Sequence, residues 1–135
     1  MALIKWDDSL SIGIESIDKQ HMKLIEMINE FYENIRVKST NEVISELIKN
    51  MREYVIYHFN TEEGLLRLYG YDQFEQHKAE HDNFVKKVED FEERFKNGKL
   101  ILSFEITNFL KSWLKDHIQV TDRKYSGFLI SKGIR

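Results

Sequence analysis

This sequence predicts an all-α protein, an up-down-up-down antiparallel four-helix bundle with an extended N-terminal arm (1–15). Its 135 residues include no proline, so long helices can run without interruption. Apolar residues recur in steps of three and four, the period of one helix face. Capping patterns divide the chain into four such stretches, and only two residues separate the second from the third, so these two must be antiparallel neighbours.

Composition bounds the function. The length suits one domain, 1–135, with a sizeable core. A net charge of −3 without a basic block argues against binding to nucleic acid or to anionic membranes. Cysteine is absent, which excludes disulfides, thiolate metal sites and thiol catalysis. The first residues do not resemble a signal peptide, and no apolar run has the length of a membrane span, so we expect a cytoplasmic protein.

The first helix is predicted over 17–37, and His21 shares the core-facing register of its apolar residues: Ile17, Leu24, Ile28, Phe31 and Ile35. The second helix is predicted to begin at a capping box, "STNE" (39–42) with Ser39 as the N-cap, and to end at Gly70. Its core-facing positions are Ile44, Ile48, Met51, Val55, His58, Glu62, Leu65 and Tyr69.

The third helix is predicted from a second capping box, "DQFE" (72–75), to Lys96, before "NG" (97–98). Its core-facing positions are Phe74, His77, His81, Phe84, Val88, Phe91 and Phe95. The fourth helix is predicted to begin near Ser103, with core-facing Ile106, Leu110, Trp113, His117 and Val120, and to be followed by a polar tail (121–135).

All five histidines fall on core-facing positions. Each buried imidazole needs partners for two ring nitrogens, and a bound cation would satisfy one nitrogen of every ring. His58 and Glu62 are four residues apart on one helix, and His77 and His81 on the next, so both pairs can converge on one point. His21 and His117 extend the set to every helix of the bundle.

Spacing leaves the second carboxylate open. Asp122 follows His117 by five residues and could reach the site only if the helix loosens there, while Asp116 faces away by about 100°. Glu63 is about 100° from Glu62 and is interpreted as a surface residue. Five imidazoles and two carboxylates exceed the needs of one ion and suit two transition metals, iron before manganese, split three and two with one open position.

Five stretches resemble the hemerythrin family, in particular its bacterial single-domain members: "IKWDDSLSIGIESIDKQH" (4–21), "HFNTEE" (58–63), "HKAEH" (77–81), "WLKDHIQVTD" (113–122) and "RKY" (123–125). The likeness covers the whole chain. It favours Asp122 over Asp116 as the last ligand. It also implies a reversible dioxygen carrier or store, not an enzyme, which contains two non-haem irons bridged by carboxylates and an oxo or hydroxo group.

The resemblance further implies roles for individual residues. His77, His81 and His117 would hold one iron, His21 and His58 the other, and Glu62 and Asp122 would bridge them. Tyr125 would hydrogen-bond a bridging carboxylate. Apolar residues matching the family's dioxygen pocket are Leu24, Phe59, Trp113, Leu114 and Ile118.

Three functions remain open at this stage. The first is a monomer that binds dioxygen to carry, store or deliver it, with an oxygen-consuming enzyme as the candidate recipient. An oxygen or redox sensor is the second, although no fused signalling domain is present. A di-iron enzyme, or a protein that handles iron or nitric oxide, is the third.

Overall fold

The computed structural model describes residues 4–37, 40–96 and 103–134. Its helices are α1 (Glu15–Arg36), α2 (Asn41–Leu68), α3 (Phe74–Lys96), α4 (Ser103–Asp116) and α5 (Arg123–Ser131), with a 3-10 turn at Asp8–Leu10 and a π-helical turn at His117–Asp122 between α4 and α5. Helix α1 packs against α2 and α4, and α2 packs against α3. The predicted four-helix bundle is confirmed, with α4, the π turn and α5 forming its fourth rod. Within the described ranges, no helix combines the length and the apolarity needed to cross a membrane.

The N-terminal arm is more structured than the sequence indicates. It contains the 3-10 turn, and α1 begins two residues earlier than predicted. The Asp18 carboxylate accepts hydrogen bonds from the Ser11 hydroxyl (2.6 Å) and the Ile12 amide (2.9 Å), which fastens the arm to the first turn of α1. Arg123 donates to the Ser9 carbonyl at 2.6 Å, so the arm also lies across the C-terminal end of the π turn.

The N-cap of α2 is Thr40, whose hydroxyl accepts the Val43 amide at 3.3 Å. The predicted cap, Ser39, lies outside the described residues, as do residues 97–98. Helix α3 begins at Phe74 rather than in the "DQFE" box at Asp72. The structural reason is that the Gln73 carbonyl accepts the first helical bond, from the His77 amide at 3.1 Å.

The predicted stop at Gly70 is confirmed. Gly70 has φ +73°, its amide donates to the Arg67 carbonyl (3.2 Å), and the Tyr71 amide donates to the Leu66 carbonyl (2.9 Å). These two bonds are those of a Schellman C-cap, which requires a left-handed residue at this point. The turn reverses the chain so that α3 returns along α2.

Residues after His117 depart from the prediction because the π turn changes the register. Val120, predicted to face the core, is 55% exposed. The predicted polar tail is helical to Ser131, and Tyr125 and Leu129 are completely buried. In α2, Leu66 rather than Leu65 is the fully buried residue near the helix end.

Gly70→Ala should lower the free energy of unfolding by about 1–2 kcal/mol, because alanine disfavours the left-handed conformation. A Cβ at Gly70 meets no atom within 4 Å, so the loss would be conformational rather than steric. Gly127→Ala in α5 is the matched control, since its added Cβ also meets nothing within 4 Å and its φ is not left-handed. It should raise stability by up to about 1 kcal/mol. Urea unfolding of both variants checks the pair, and equal effects of the same sign would contradict it.

Candidate metal centre

The bundle core contains a cluster of seven ionisable side chains, each 3% exposed or less. Its members come from every rod of the bundle: His21 from α1, His58 and Glu62 from α2, His77 and His81 from α3, and His117 and Asp122 from the π turn. All five imidazoles direct Nε2 towards the centre of this cluster. The structure therefore brings together all seven side chains that the sequence singles out as candidate ligands.

The π turn places the Asp122 side chain in the cluster. Hydrogen bonding from i to i+5 carries residue 122 back over residue 117, which an α-helix would not do. As a result Asp122 Oδ1 lies 3.0 Å from His117 Nε2. The competing candidate, Asp116, is exposed. The loosening of the helix that the five-residue spacing demands is present.

The cluster divides into two overlapping groups that could each hold an ion. One comprises Glu62, His77, His81, His117 and Asp122, the other His21, His58 and Glu62, and within each group the ligand atoms lie within 4.8 Å of one another. We call the first the three-histidine group and the second the two-histidine group.

Each carboxylate turns one oxygen towards each group. Glu62 Oε1 lies 2.5 Å from His58 Nε2, while its Oε2 lies 3.3 Å from His77 Nε2. Asp122 Oδ2 lies 3.1 Å from His21 Nε2, while its Oδ1 faces His117. This arrangement suits two carboxylates that bridge a pair of ions.

Unpartnered atoms indicate that the site is built for cations. Seven buried atoms form no hydrogen bond of acceptable geometry among the described residues, although some lie close together: both oxygens of Asp122, Glu62 Oε1, His58 Nε2, both nitrogens of His21, and His117 Nδ1. Buried polar atoms are normally paired, so such a concentration calls for a missing ligand. The Nε2 atoms of His81 and His117 are 3.0 Å apart. Two nitrogens bound at right angles to one ion, each about 2.1 Å from it, would be separated by about 3.0 Å.

Electrostatics of the metal-free cluster show the same demand for positive charge. Burial by itself would lower the pKa of His21 and His117, but the neighbouring carboxylates Asp122 and Glu62 outweigh it and raise these pKa values to about 9 and about 10. Burial would raise the pKa of Glu62, yet contact with His58, His21 and His77 holds it well below its usual range. Without metal, protons take the place of the cations.

Outer partners orient several of the imidazoles. The Glu63 carboxylate accepts from His81 Nδ1 at 3.0 Å, and the Gln20 side-chain carbonyl accepts from His58 Nδ1 at 2.6 Å. Each acceptor fixes the proton on Nδ1 and leaves the Nε2 lone pair directed inward. The interpretation of Glu63 as a free surface residue is therefore wrong, since its side chain is only 14% exposed.

Glu80 is a more distant partner. It accepts the Thr121 hydroxyl at 3.0 Å and lies 3.5 Å from His117 Nδ1. Sequence reasoning missed both Gln20 and Glu80. Gln20 and Glu80 each directly precede a candidate ligand in the sequence, and Glu63 directly follows one. A polar residue next to a ligand in the sequence can therefore contact a ligand on the neighbouring helix, and this is the signal that could have found them.

Tyr125 donates a hydrogen bond to Glu62 Oε2 at 2.8 Å and is completely buried. Burial and the nearby carboxylates raise its pKa well above the usual value, so the phenol keeps its proton. The predicted contact between this tyrosine and a candidate bridging carboxylate is present in the structure.

The predicted pocket residues are buried or half-buried. Phe59 lies parallel to His81 with ring centroids 3.7 Å apart, and Trp113 stacks on His117 at 4.3 Å. Leu24, Leu114 and Ile118 are at most 2% exposed. The aromatic pair thus covers two imidazoles of the three-histidine group, whereas the part of all five in binding dioxygen stays a prediction.

Comparisons with known proteins agree with this site. Residues 12–129 match the family model described as the hemerythrin HHE cation binding domain. A bacteriohemerythrin of Clostridium acetobutylicum is 37% identical over 126 residues, covering 89% of this chain and 96% of that protein. A bacteriohemerythrin of Methylococcus capsulatus is 30% identical over 93% of this chain and 95% of its own length. A solved wild-type hemerythrin matches with a TM-score of 0.87 and 28% identity, covering 93% of this chain and 97% of that one.

Metal-free protein should lose stability as the pH rises from 7 to 10. A pKa raised by folding stabilises the folded state fully below the unfolded value, about 6.5 for histidine, and this stabilisation disappears as the pH passes the folded values of about 9 and about 10 for His21 and His117. The stability of the metal-loaded protein should not fall in this way, because protons compete with metal for the imidazoles and bind them less at high pH. Measuring the melting temperature at each pH, with and without metal, checks this prediction.

The difference between the two melting temperatures removes the contribution of titrating groups outside the site. A difference that does not change with pH would contradict the prediction.

Proposed function

The chain belongs to the hemerythrin family, and from this membership we propose that it binds dioxygen reversibly at a pair of non-haem irons in the bundle core, as a carrier, store or deliverer. One observation carries the proposal: Glu62 and Asp122 each present one oxygen to each histidine group. Two ferrous ions held by these residues would supply one electron each, the two electrons that dioxygen takes up. Imidazole and carboxylate ligands suit iron, and thiolates are absent.

The two groups give the ions unequal surroundings. His77, His81 and His117, together with Glu62 and Asp122, would hold one ion. His21 and His58, with the same two carboxylates, would hold the other, which would have one protein ligand fewer and so leave room for dioxygen.

Neighbouring side chains keep this chemistry reversible. Leu24, Leu114 and Ile118 are buried apolar residues on α1, α4 and the π turn, and they exclude the water that would promote irreversible oxidation. Tyr125 fixes the orientation of the Glu62 carboxylate through the 2.8 Å hydrogen bond. Its hydroxyl keeps its proton and so adds no charge beside the site.

Anaerobic reduction of the iron-loaded protein, followed by repeated cycles of air and argon, should give a visible absorbance band that appears and disappears reversibly. Iron quantified alongside should be about two per chain, with no haem. Irreversible bleaching with release of hydrogen peroxide would favour the di-iron enzyme instead. One zinc per chain after growth in ample iron would contradict the di-iron site itself.

Leu24→Ala should accelerate decay of the oxygenated form to the diferric form while leaving iron content unchanged. Leu24 follows His21 by three residues and is completely buried, so its truncation opens space next to the two-histidine ion and admits water. Stability should fall by roughly 2–5 kcal/mol.

The matched control is Ile48→Ala, which makes a similar cavity at a site 1% exposed and about 15 Å along α2 from His58. It should cost similar stability without changing the rate of decay. Equal decay rates in both variants would show that Leu24 only packs the core.

A further inference from the structure

The outer nitrogens of the imidazoles have different partners in the two groups. In the three-histidine group, His81 Nδ1 donates to the Glu63 carboxylate at 3.0 Å, and the Glu80 carboxylate lies 3.5 Å from His117 Nδ1 without forming a hydrogen bond. In the two-histidine group, His58 Nδ1 donates to the neutral amide of Gln20, and His21 Nδ1 has no hydrogen-bond partner among the described residues. Among these residues, the carboxylates next to an outer nitrogen therefore belong to the three-histidine group.

This difference has an electronic consequence. A carboxylate that accepts from Nδ1 draws the ring proton towards itself and makes Nε2 a stronger electron donor, whereas an amide does so less and an unpartnered nitrogen least. A stronger donor stabilises the more oxidised state of the ion it binds. Burial strengthens the effect, because His81 is 1% exposed and screening is weak there.

Glu63 lies between the buried cluster and the surface. It borders a groove of about 330 Å³ between α2 and α3, which is also lined by two lysines and two acidic residues: Lys78, Lys86, Asp82 and Glu89. The Glu63 side chain is only 14% exposed, so water screens its contact with His81 only in part. Glu80 should affect His117 less than Glu63 affects His81, because its contact is longer and its side chain is 45% exposed.

We propose that Glu63, with a smaller contribution from Glu80, is a positioning residue that makes the three-histidine ion the first of the pair to lose an electron. Gln20, a neutral partner, keeps the two-histidine ion reduced for longer. The inference rests on the proposed di-iron function and adds to it an order of oxidation. The partly oxidised protein would then retain its ferrous ion at the open position.

The test is a potentiometric titration of the iron-loaded full chain under argon, with dithionite as the reductant and ferricyanide as the oxidant, followed by visible absorbance. Each ion gives up one electron, so two couples are measured, and their separation fixes how much mixed-valent protein accumulates. Glu63→Gln should raise the couple of the first oxidation, and Gln20→Glu should lower the couple of the second. Each substitution should bring the two reduction potentials closer by about 59 mV. This corresponds to about a tenfold decrease in the equilibrium constant for formation of the mixed-valent protein.

Glu26→Gln is the matched control, because it removes the same charge from an exposed position on α1. It should leave the separation unchanged. A purely structural role for Glu63 would lower iron content in Glu63→Gln without narrowing the separation. If Glu63→Gln retains too little iron to titrate, Gln20→Glu decides the question.

If the wild-type protein shows two iron couples and the separation between their potentials is unchanged or wider in either variant, the proposed order of oxidation is wrong. The proposed di-iron function would not be affected. A wild-type protein that takes up no iron, or shows no iron couples, would instead overturn the proposed function. The two failures are therefore distinguishable.

Discussion

Two buried carboxylates, Glu62 and Asp122, require compensating positive charge, and the rest of this core is arranged to supply it. Removing an ionised carboxylate from water costs several kcal/mol, and the two lie in one cluster where their charges also repel. Five imidazoles from all four rods surround them and can supply positive charge either as protons or as metal. The centre of the bundle is therefore held by charge balance, and apolar packing encloses it. Positive charge on or between the imidazoles, from protons or from metal, therefore stabilises this core.

The two groups of histidines face the same pair of carboxylates. The inequality between the groups therefore comes from the number of their histidines and from the outer partners of those histidines. One group has an additional imidazole and a carboxylate hydrogen-bonded to His81. In the other group a neutral amide is bonded to His58, and His21 Nδ1 has no hydrogen-bond partner in the described part of the chain. The number of histidines and the outer partners thus both make the two groups unequal. A small asymmetry in side chains produces two chemically different positions a few ångströms apart.

Much of this could be predicted from the sequence, for reasons that also explain the failures. The histidines lie on regular helices, where a period of 3.6 residues assigns each one a face. Asp122 stayed ambiguous because spacing cannot reveal a π turn, and the same turn misplaced Val120 and hid the helix that contains Tyr125. Glu63 was misjudged because its angle was taken from its own helix alone. Its partner, His81, belongs to the adjacent helix, and the periodicity of one helix does not predict which residues of another helix it contacts.

The π turn fits the five-residue step between His117 and Asp122 to the geometry of the core. If the same residues formed a regular α-helix at unchanged length, Asp122 would be turned about 140° from His117. Asp122 would leave the core, and Tyr125 and Leu129, both completely buried, would turn with it towards solvent. The backbone conformation of this segment is therefore as much a part of the candidate site as its side chains are, whereas the side chain of exposed Val120 is free to vary.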